Sequence, residues 1–229
     1  MDQTGTALVV GASRGLGLAL AAEWLDRGWR VIATQRGPSP ALDGLARRFP
    51  DRLVIETVDI AEAEAVRALR ERLGGRRLDV VFVNAGIARS IEATPADAPE
   101  AAFLDMMLVN ALSPVRAAEI LRDLVPAGGT IAIMTSELGS IAQARDGWQL
   151  YSASKAALNM LMKKYAARHG ADGHALLLVA PGWVRTEMGG SDAALSVEES
   201  IPRVVDALEA NRGRPGLRYI DRFGEPLPW

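Results

Sequence analysis

Short apolar runs alternate with longer helical patterns along the whole chain, and this alternation constrains the fold more than any other feature. The runs lie near residues 7–10, 30–34, 53–58, 80–84, 130–135, 175–180 and 217–220. Several are continuously apolar, as expected of strands in a parallel sheet whose two faces are both covered by helices. Between the first two runs, Leu16, Leu20 and Trp24 form one apolar helical stripe, and Gly28 is placed to end that helix. The pattern predicts an α/β fold with a mostly parallel sheet of about seven strands.

Composition excludes several functional classes. At 229 residues, 49% of them hydrophobic, residues 1–229 are predicted to form one domain with one sizeable core. The net charge of -2 shows no basic excess that would attract nucleic acid or an anionic membrane. The chain lacks a basic leader segment and an apolar run of transmembrane length, so a cytoplasmic location is predicted. There is no cysteine, and His169 and His174 have no ligand-spaced partner, so no metal site is predicted.

A glycine-rich loop follows the first predicted strand and leads directly into the first helix. Its glycines, Gly11, Gly15 and Gly17, are spaced GxxxGxG. Glycine lets the backbone turn sharply and approach a pyrophosphate, while a helix amino terminus offers N–H groups and a partial positive charge. Taken alone, such a loop can also serve only to pack a helix on a strand. Its place between strand and helix is the one that a dinucleotide-binding fingerprint requires.

The end of the second strand indicates which dinucleotide is bound. Sheets that prefer NAD place an acidic residue there for the ribose 2′-hydroxyl, but this chain has none. Arg36 stands at this point instead, and Arg14 lies within the glycine loop. A guanidinium group is well shaped to pair with a 2′-phosphate. Either arginine alone is compatible with an ordinary surface role, and the two together favour NADP(H) over NAD(H).

Tyr151 and Lys155 are four residues apart in a predicted helix, and Ser136 lies upstream at the end of the run TIAIMTS. The four-residue separation puts both side chains on the same helix face. A cationic neighbour favours the phenolate of a tyrosine, whose ordinary pKa is about 10, and so supports proton exchange near neutral pH. For this spacing alone, a surface tyrosine and lysine is the ordinary interpretation. With the glycine loop, the pair predicts hydride transfer from a nicotinamide nucleotide.

These residues resemble the short-chain dehydrogenase/reductase superfamily, and the likeness covers nearly the whole chain. The resemblance implies a single Rossmann-type doubly wound parallel sheet, in the order 3-2-1-4-5-6-7, with helices on both faces. It implies a catalytic set of Asn110, Ser136, Tyr151 and Lys155. It also implies a cofactor-binding set that comprises Gly11, Ser13, Arg14, Gly15, Leu16, Gly17, Arg36, Asp59, Ile60, Asn84, Ala85, Gly86, Tyr151, Lys155, Pro181, Gly182, Val184 and Thr186. Val10 and Val83 depart from the family pattern at positions that support these loops.

More narrowly, the segments SELGSI, YSASKAALN, PGWVRTEMGG and FGEPLPW resemble the C-factor and sniffer-type carbonyl reductases. This resemblance implies an NADPH-dependent reductase that converts a ketone, aldehyde or quinone to an alcohol. Ser136 and Tyr151 would bind the carbonyl oxygen, and Tyr151 would supply the proton. Lys155 would hold the nicotinamide ribose and make the tyrosine more acidic, while Asn110 would anchor a water. A non-catalytic NADP-binding regulator and a C-factor-like signalling protein are the alternatives.

The substrate pocket is predicted beyond the carboxyl ends of the strands, where the order of the sheet reverses. Its candidate walls are Glu137, Leu138, Trp148, Trp183 and Met188. Trp148 either roofs the site or contributes only to packing. The helices around residues 101–124 and 152–169 are rich in Ala, Leu and Met, which allows close packing against a symmetric copy. A homodimer is therefore predicted, with no nucleic-acid or membrane partner. The segment from Met188 to Ser196 is brief for a substrate lid, which predicts an open pocket that accepts several bulky carbonyl compounds.

Overall fold

The computed structural model describes residues 4–229 and contains one sheet of seven strands. The strands are β1 (Thr6–Val10), β2 (Arg30–Gln35), β3 (Leu53–Thr57), β4 (Val80–Val83), β5 (Thr130–Met134), β6 (Ala175–Ala180) and β7 (Gly216–Asp221). Their order is β3-β2-β1-β4-β5-β6-β7, and every neighbouring pair is parallel. The predicted fold class and strand order are confirmed.

Seven α-helices connect the strands of the described region. They are α1 (Gly15–Asp26), α2 (Pro40–Arg48), α3 (Ala63–Leu73), α4 (Glu100–Met106), α5 (Ser113–Leu121), α6 (Gln149–His169) and α7 (Val197–Asn211). A π-helical turn over Met107–Leu112 joins α4 to α5, and 3-10 turns lie at Arg122–Leu124, Glu137–Gly139 and Gly170–Asp172. No helix within residues 4–229 is long and apolar enough to span a bilayer. The same residues contain no group of three or more side chains suited to hold a metal ion.

The helices cover both faces of the sheet, as its continuously apolar strands predicted. Along β5, Ile131 and Ile133 pack into a core with α3, α5 and α6, whereas Ala132 and Met134 pack into a second core with α1, α2 and α7. All five residues of β5 are buried, and so are all six of β6. Because alternate side chains point to opposite faces of a strand, a strand covered on both sides needs no polar positions.

Local signals account for most of the element boundaries. Gly28 has φ +88° and follows the last residues of α1, as predicted. Pro40 occupies the first turn of α2, and the Ser39 hydroxyl accepts a hydrogen bond from the Leu42 N–H. The helical region predicted over residues 101–124 is interrupted by the π-helical turn, which contains Asn110. The helical prediction for this region is thus correct, but the π-helical turn that divides it was not predicted.

Candidate active site

The carboxyl ends of β1, β4, β5 and β6 meet at one edge of the sheet, and the predicted functional loops follow these ends. Asn84, directly after β4, donates from its side-chain amide to the Gly11 carbonyl at 2.8 Å. Thr186, in the loop after β6, lies over the glycine loop: a Cβ built on Gly15 would be 3.7 Å from its methyl group. The structure therefore brings the loops after β1, β4 and β6 together, as their places along the sequence predicted.

Two glycines of the first loop are required by the close approach of their neighbours. A Cβ on Gly17 would lie 2.0 Å from the Gly11 carbonyl oxygen and 2.6 Å from the Asn84 amide nitrogen. Gly11 has φ +88°, and a Cβ there would lie 2.9 Å from the Ala85 backbone. Side chains at these positions would force the loop apart. The glycine spacing thus fixes the shape of the loop.

This loop presents an anion-binding surface that fits a dinucleotide pyrophosphate. Residue Arg14 forms the N-cap of α1 without a side-chain capping bond, so no described side chain covers the first-turn N–H groups of the helix. Gly15, the first residue of α1, is exposed. On the side toward β2, the Gly11 N–H donates to the Thr34 hydroxyl at 3.0 Å and the Ala12 N–H donates to the Thr34 carbonyl at 2.7 Å. Hydrogen bonds to Thr34 thus hold the loop on the side toward β2, and the loop is exposed at Gly15.

The two arginines that favour NADP(H) have different surroundings. Arg36 is exposed directly after β2 and forms no ion pair within residues 4–229. Arg14 forms an ion pair with Glu187, which lies in the loop after β6, and both side chains are mostly exposed. Beyond β3, the Asp59 carboxylate accepts from the Ala61 N–H at 2.9 Å and thereby shapes the loop beside Ile60. The predicted contact of either arginine with a 2′-phosphate stays a prediction.

Tyr151, Lys155 and Ser136 lie together, as their spacing predicted. Both Tyr151 and Lys155 are buried on α6, and the Lys155 ammonium lies 5.6 Å from the centre of the Tyr151 ring. The Lys155 ammonium donates to the Met134 carbonyl at 3.0 Å. The Ser136 side chain lies close enough to the Tyr151 phenol to lower its pKa. The Ser136 hydroxyl oxygen accepts from the Leu138 N–H at 3.2 Å and so also caps the 3-10 turn that follows it.

Burial is the largest influence on the pKa values of this pair. It raises the pKa of the Tyr151 phenol above its ordinary value, and the neighbouring Ser136 side chain only partly offsets that rise. It also lowers the pKa of Lys155 to about 8. A buried phenolate has lost its hydration, and a nearby ammonium is a group that can stabilise it. The role of Lys155 in making the tyrosine more acidic stays a prediction.

Asn110 uses its side-chain amide to join two parts of the site. It accepts from the Ile87 N–H and donates to the Ile87 carbonyl, both at 2.8 Å, and also donates to the Ser154 hydroxyl at 3.0 Å. This is the structural role that its residue type allows. A Cβ on Gly86 would lie 3.4 Å from the Asn110 oxygen and 3.7 Å from the Lys155 nitrogen, so both atoms face the same small space. The predicted water-anchoring role of Asn110 stays a prediction.

The predicted pocket walls divide into two groups. Leu138 and Trp148 pack in one cluster with Tyr151, and the rings of Trp148 and Tyr151 meet edge to face at 5.5 Å. Trp148 has φ +53°, an unusual conformation for a bulky residue, at the start of α6. Glu137 instead faces Arg145 at 3.9 Å. The remaining two predicted walls, Trp183 and Met188, are exposed in the loop after β6 and lie outside this cluster.

Five apolar residues complete the Tyr151 cluster and were not predicted as pocket walls. They are Met106 on α4, Leu150 on α6, and Ile87, Ala88 and Ala98 from the segment between β4 and α4. The sequence indicated the last three in one way only, because their segment directly follows Asn84, Ala85 and Gly86. The wall that packs around the Tyr151 phenol is apolar.

Comparison with known proteins identifies the family. A family model described as short chain dehydrogenase matches residues 5–194. The chain belongs to the short-chain dehydrogenase family. It is accordingly an NAD(P)-dependent oxidoreductase, as its glycine loop and its Tyr151 and Lys155 pair predicted.

Solved structures resemble the chain over nearly its full length. A short-chain dehydrogenase/reductase from Burkholderia multivorans with bound NADP is 51% identical, with a TM-score of 0.96 over 99% of this chain and 100% of that one. The carbonyl reductase Sniffer of D. melanogaster is 28% identical, with a TM-score of 0.89 and the same 99% and 100% coverage. The C-signal protein of Myxococcus xanthus is 33% identical over 66% of this chain and 93% of its own length. These likenesses confirm the resemblance to the C-factor and sniffer-type branch.

Proposed function

We propose that the protein is an NADPH-dependent carbonyl reductase that converts a ketone, aldehyde or quinone to an alcohol. The observation that carries this proposal is a buried phenol that burial keeps protonated, with the Ser136 side chain beside it at the edge of the sheet where the glycine loop opens. Reduction of a carbonyl requires a proton donor at the oxygen while hydride reaches the carbon. Tyr151 in this state is such a donor.

Each residue of the site has a physical task in this reaction. Bound NADPH supplies the hydride. Ser136 and Tyr151 donate hydrogen bonds to the carbonyl oxygen and stabilise the negative charge that develops there. Tyr151 then transfers its proton to that oxygen. The phenolate that remains lies beside the Lys155 ammonium, whose positive charge stabilises it, so Lys155 acts on the product state of the proton transfer.

Residues of the glycine loop and of the loops after β4 and β6 would hold the cofactor. The first turn of α1, which begins at the exposed Gly15, would bind the pyrophosphate. Arg36, which forms no ion pair within residues 4–229, would bind the 2′-phosphate. The relative from Burkholderia multivorans was solved with bound NADP, which supports the choice of NADP(H). Pro181, Gly182, Val184 and Thr186 lie after β6, on the nicotinamide side of the glycine loop, and remain the predicted nicotinamide contacts.

The substrate class follows from the apolar wall around Tyr151. Ile87, Ala98, Leu138 and Trp148 are partly exposed and offer carbon surface beside Tyr151. The segment between Met188 and Ser196 is brief for a substrate lid. We therefore propose that bulky apolar or aromatic carbonyl compounds are better substrates than small charged ones.

A panel of ketones, aldehydes and quinones, assayed with NADPH and NADH in parallel, tests the activity and the cofactor choice. We expect turnover of several bulky apolar compounds and a preference for NADPH. Activity restricted to one small aldehyde would contradict the substrate class, and equal use of NADH would contradict the cofactor choice.

The Tyr151→Phe variant separates the enzyme from a protein that only senses NADP or signals, the role that the likeness to C-signal raises. The variant keeps the ring but removes the acidic proton. We expect kcat to fall by about a thousandfold while the Kd for NADPH stays within about twofold. Unchanged turnover in this variant would remove Tyr151 as the proton donor.

Assembly as a homodimer is the second part of the proposal. Leu112 and Met160 are 44% and 54% exposed. Leu112 lines a groove with Val115, Ile120 and Leu161, and four charged residues line the same groove, namely Arg67, Arg116, Glu119 and Arg168. Exposed apolar surface bordered by polar residues is typical of a surface that packs against a partner. A second copy of the chain, related by a twofold axis, is the proposed partner.

A further inference from the structure

The loop that carries Ser136 is held by buried polar side chains from two other elements. Asn159 lies on α6 and is 4% exposed. Its amide oxygen accepts from the Thr135 hydroxyl at 2.9 Å, and its amide nitrogen donates to the Gly139 carbonyl at 3.2 Å. One side chain thus binds the residue before Ser136 and the residue three positions after it. The two ends of the turn are fixed to the same point on the helix.

Tyr219 holds the same turn from the opposite side. It lies on β7, is buried, and its hydroxyl donates to the Ser136 carbonyl at 2.6 Å. The Gly139 N–H donates to the same carbonyl at 2.9 Å, so both acceptor positions of this oxygen are used. Gly139 also accepts from Asn159 through its own carbonyl. Asn159 and Tyr219 are therefore linked through the backbone of the turn that carries Ser136.

The turn that carries Ser136 packs so closely against α6 that it has little room to move. A Cβ on Gly139 would lie 2.9 Å from the Asn159 amide nitrogen and 3.1 Å from the Lys155 Cβ. Tyr151, Lys155 and Asn159 are spaced by four residues, so the helix face that carries the proton donor and the ammonium also carries the anchor of the serine turn. Any shift of the turn would change the distance between the Ser136 hydroxyl and the Tyr151 phenol.

We propose that Asn159 and Tyr219 are positioning residues that fix the Ser136 hydroxyl against Tyr151 for carbonyl reduction. Neither residue touches the reacting atoms, and each acts through the Ser136 backbone. The inference rests on the proposed function for its effect on turnover, but the geometric part concerns the turn itself. A displaced hydrogen-bond donor in an active site costs rate much more than affinity, because its hydrogen bond to the carbonyl oxygen strengthens as negative charge develops.

Tyr219→Phe is the minimal test, since it removes only the hydroxyl that holds the Ser136 carbonyl. We expect kcat to fall about tenfold, with the Kd for NADPH within about twofold of the wild type. Tyr165→Phe is the matched control. Tyr165 is another buried tyrosine, on α6, whose hydroxyl has no hydrogen-bond partner in residues 4–229, so its loss should leave kcat unchanged. Equal loss of kcat in both variants, or none in Tyr219→Phe, overturns the proposal.

A double-mutant cycle with Ser136→Ala separates positioning from general destabilisation. If Tyr219 acts through the serine hydroxyl, Tyr219→Phe should change the residual kcat of Ser136→Ala by less than about twofold. A tenfold loss in both backgrounds would show that Tyr219 acts on turnover by another route. Thr135→Val, which loosens the Asn159 anchor from its other side, takes the place of Tyr219→Phe in the cycle if the latter does not fold.

Hydrogen–deuterium exchange tests the turn independently of turnover. Peptides that contain residues 136–139 should exchange faster in Tyr219→Phe than in the wild type and Tyr165→Phe, while peptides from β1 stay unchanged. Faster exchange in a protein that reduces none of the carbonyl panel would leave the anchoring role intact and remove the proposed function. Unchanged exchange would overturn the anchoring role even if the protein is an active reductase.

Discussion

At the scale of single residues, desolvation decides the chemistry of the candidate site. Lys155 is buried beside the Tyr151 ring, and its ammonium has one described hydrogen-bond acceptor, the Met134 carbonyl. Burial lowers its pKa to about 8, so the folded protein keeps this charge against a desolvation cost. Such a cost is tolerated where function needs the group, and it has a measurable consequence for stability.

Replacement of Lys155 by Met should stabilise the protein in the absence of cofactor. The folded pKa of about 8 lies below the value of 10.5 for an exposed lysine, so between these limits the unfolded chain binds more protons and stability rises with pH. Below pH 8 the whole penalty is present, on the order of 3 kcal/mol. We expect Lys155→Met to raise the free energy of unfolding at pH 7 by part of this penalty, because the variant also loses the hydrogen bond to the Met134 carbonyl. The variant should also lose the rise in stability with pH above pH 8.

Urea unfolding at pH 7 and at a pH of about 9.5 measures both effects. The exposed Lys164, on the same helix, provides the control, because Lys164→Met should change the free energy of unfolding little at either pH. The expectation is wrong if Lys155→Met lowers the free energy of unfolding at pH 7, or if the wild type and this variant show the same dependence on pH.

At the scale of elements, the regular parts of the fold were predictable and the irregular ones were not. The strands were found because continuous apolar runs are typical of strands in a sheet that is covered by helices on both faces. The π-helical turn over Met107–Leu112 was missed, because its sequence MLVNAL keeps ordinary helical periodicity. The positive φ of Trp148 was also missed, since a bulky residue gives no local signal for that conformation. Both irregularities lie next to predicted catalytic residues.

The first loop offers the sharpest test at this scale. Gly17→Ala would place a methyl group 2.0 Å from the Gly11 carbonyl oxygen, which the backbone can relieve only by moving. We expect the Kd for NADPH to rise more than about tenfold, and the free energy of unfolding to fall by about 1–3 kcal/mol, as for overpacked sites.

Gly75→Ala is the matched control for this substitution. Nothing lies within 4 Å of a Cβ at Gly75, so that variant should bind NADPH like the wild type. Isothermal titration of both variants gives the affinities. Normal NADPH affinity in Gly17→Ala would mean that the close contact between α1 and the first loop does not shape the cofactor site.

At the scale of the whole molecule, the parallel sheet gathers residues that are far apart along the chain. The strand order could be predicted from the family resemblance, and the proximity of Ser136 and Tyr151 could be predicted from that order. Contacts between loops and distant strands could not be predicted in this way. Two such contacts join segments that are more than eighty residues apart: Arg14 pairs with Glu187, and Tyr219 with the Ser136 carbonyl. No pattern of residue types in the sequence predicts either contact. They depend on side-chain packing that only the complete fold determines.

The oligomeric state is the remaining prediction at this scale. The exposed Leu112 and the groove beside it lie along α5 and α6, so burial of this surface against a second copy would remove apolar area from water. We expect size-exclusion chromatography with light scattering to give twice the 24.5 kDa mass of the chain.

Leu112→Glu places a charge in that surface and should shift the protein to the monomer. Val54→Glu, at a position of similar exposure on β3, should leave the dimer intact. A single 24.5 kDa species in the wild type would contradict the dimer, and a Leu112→Glu variant that still dimerises would place its interface elsewhere.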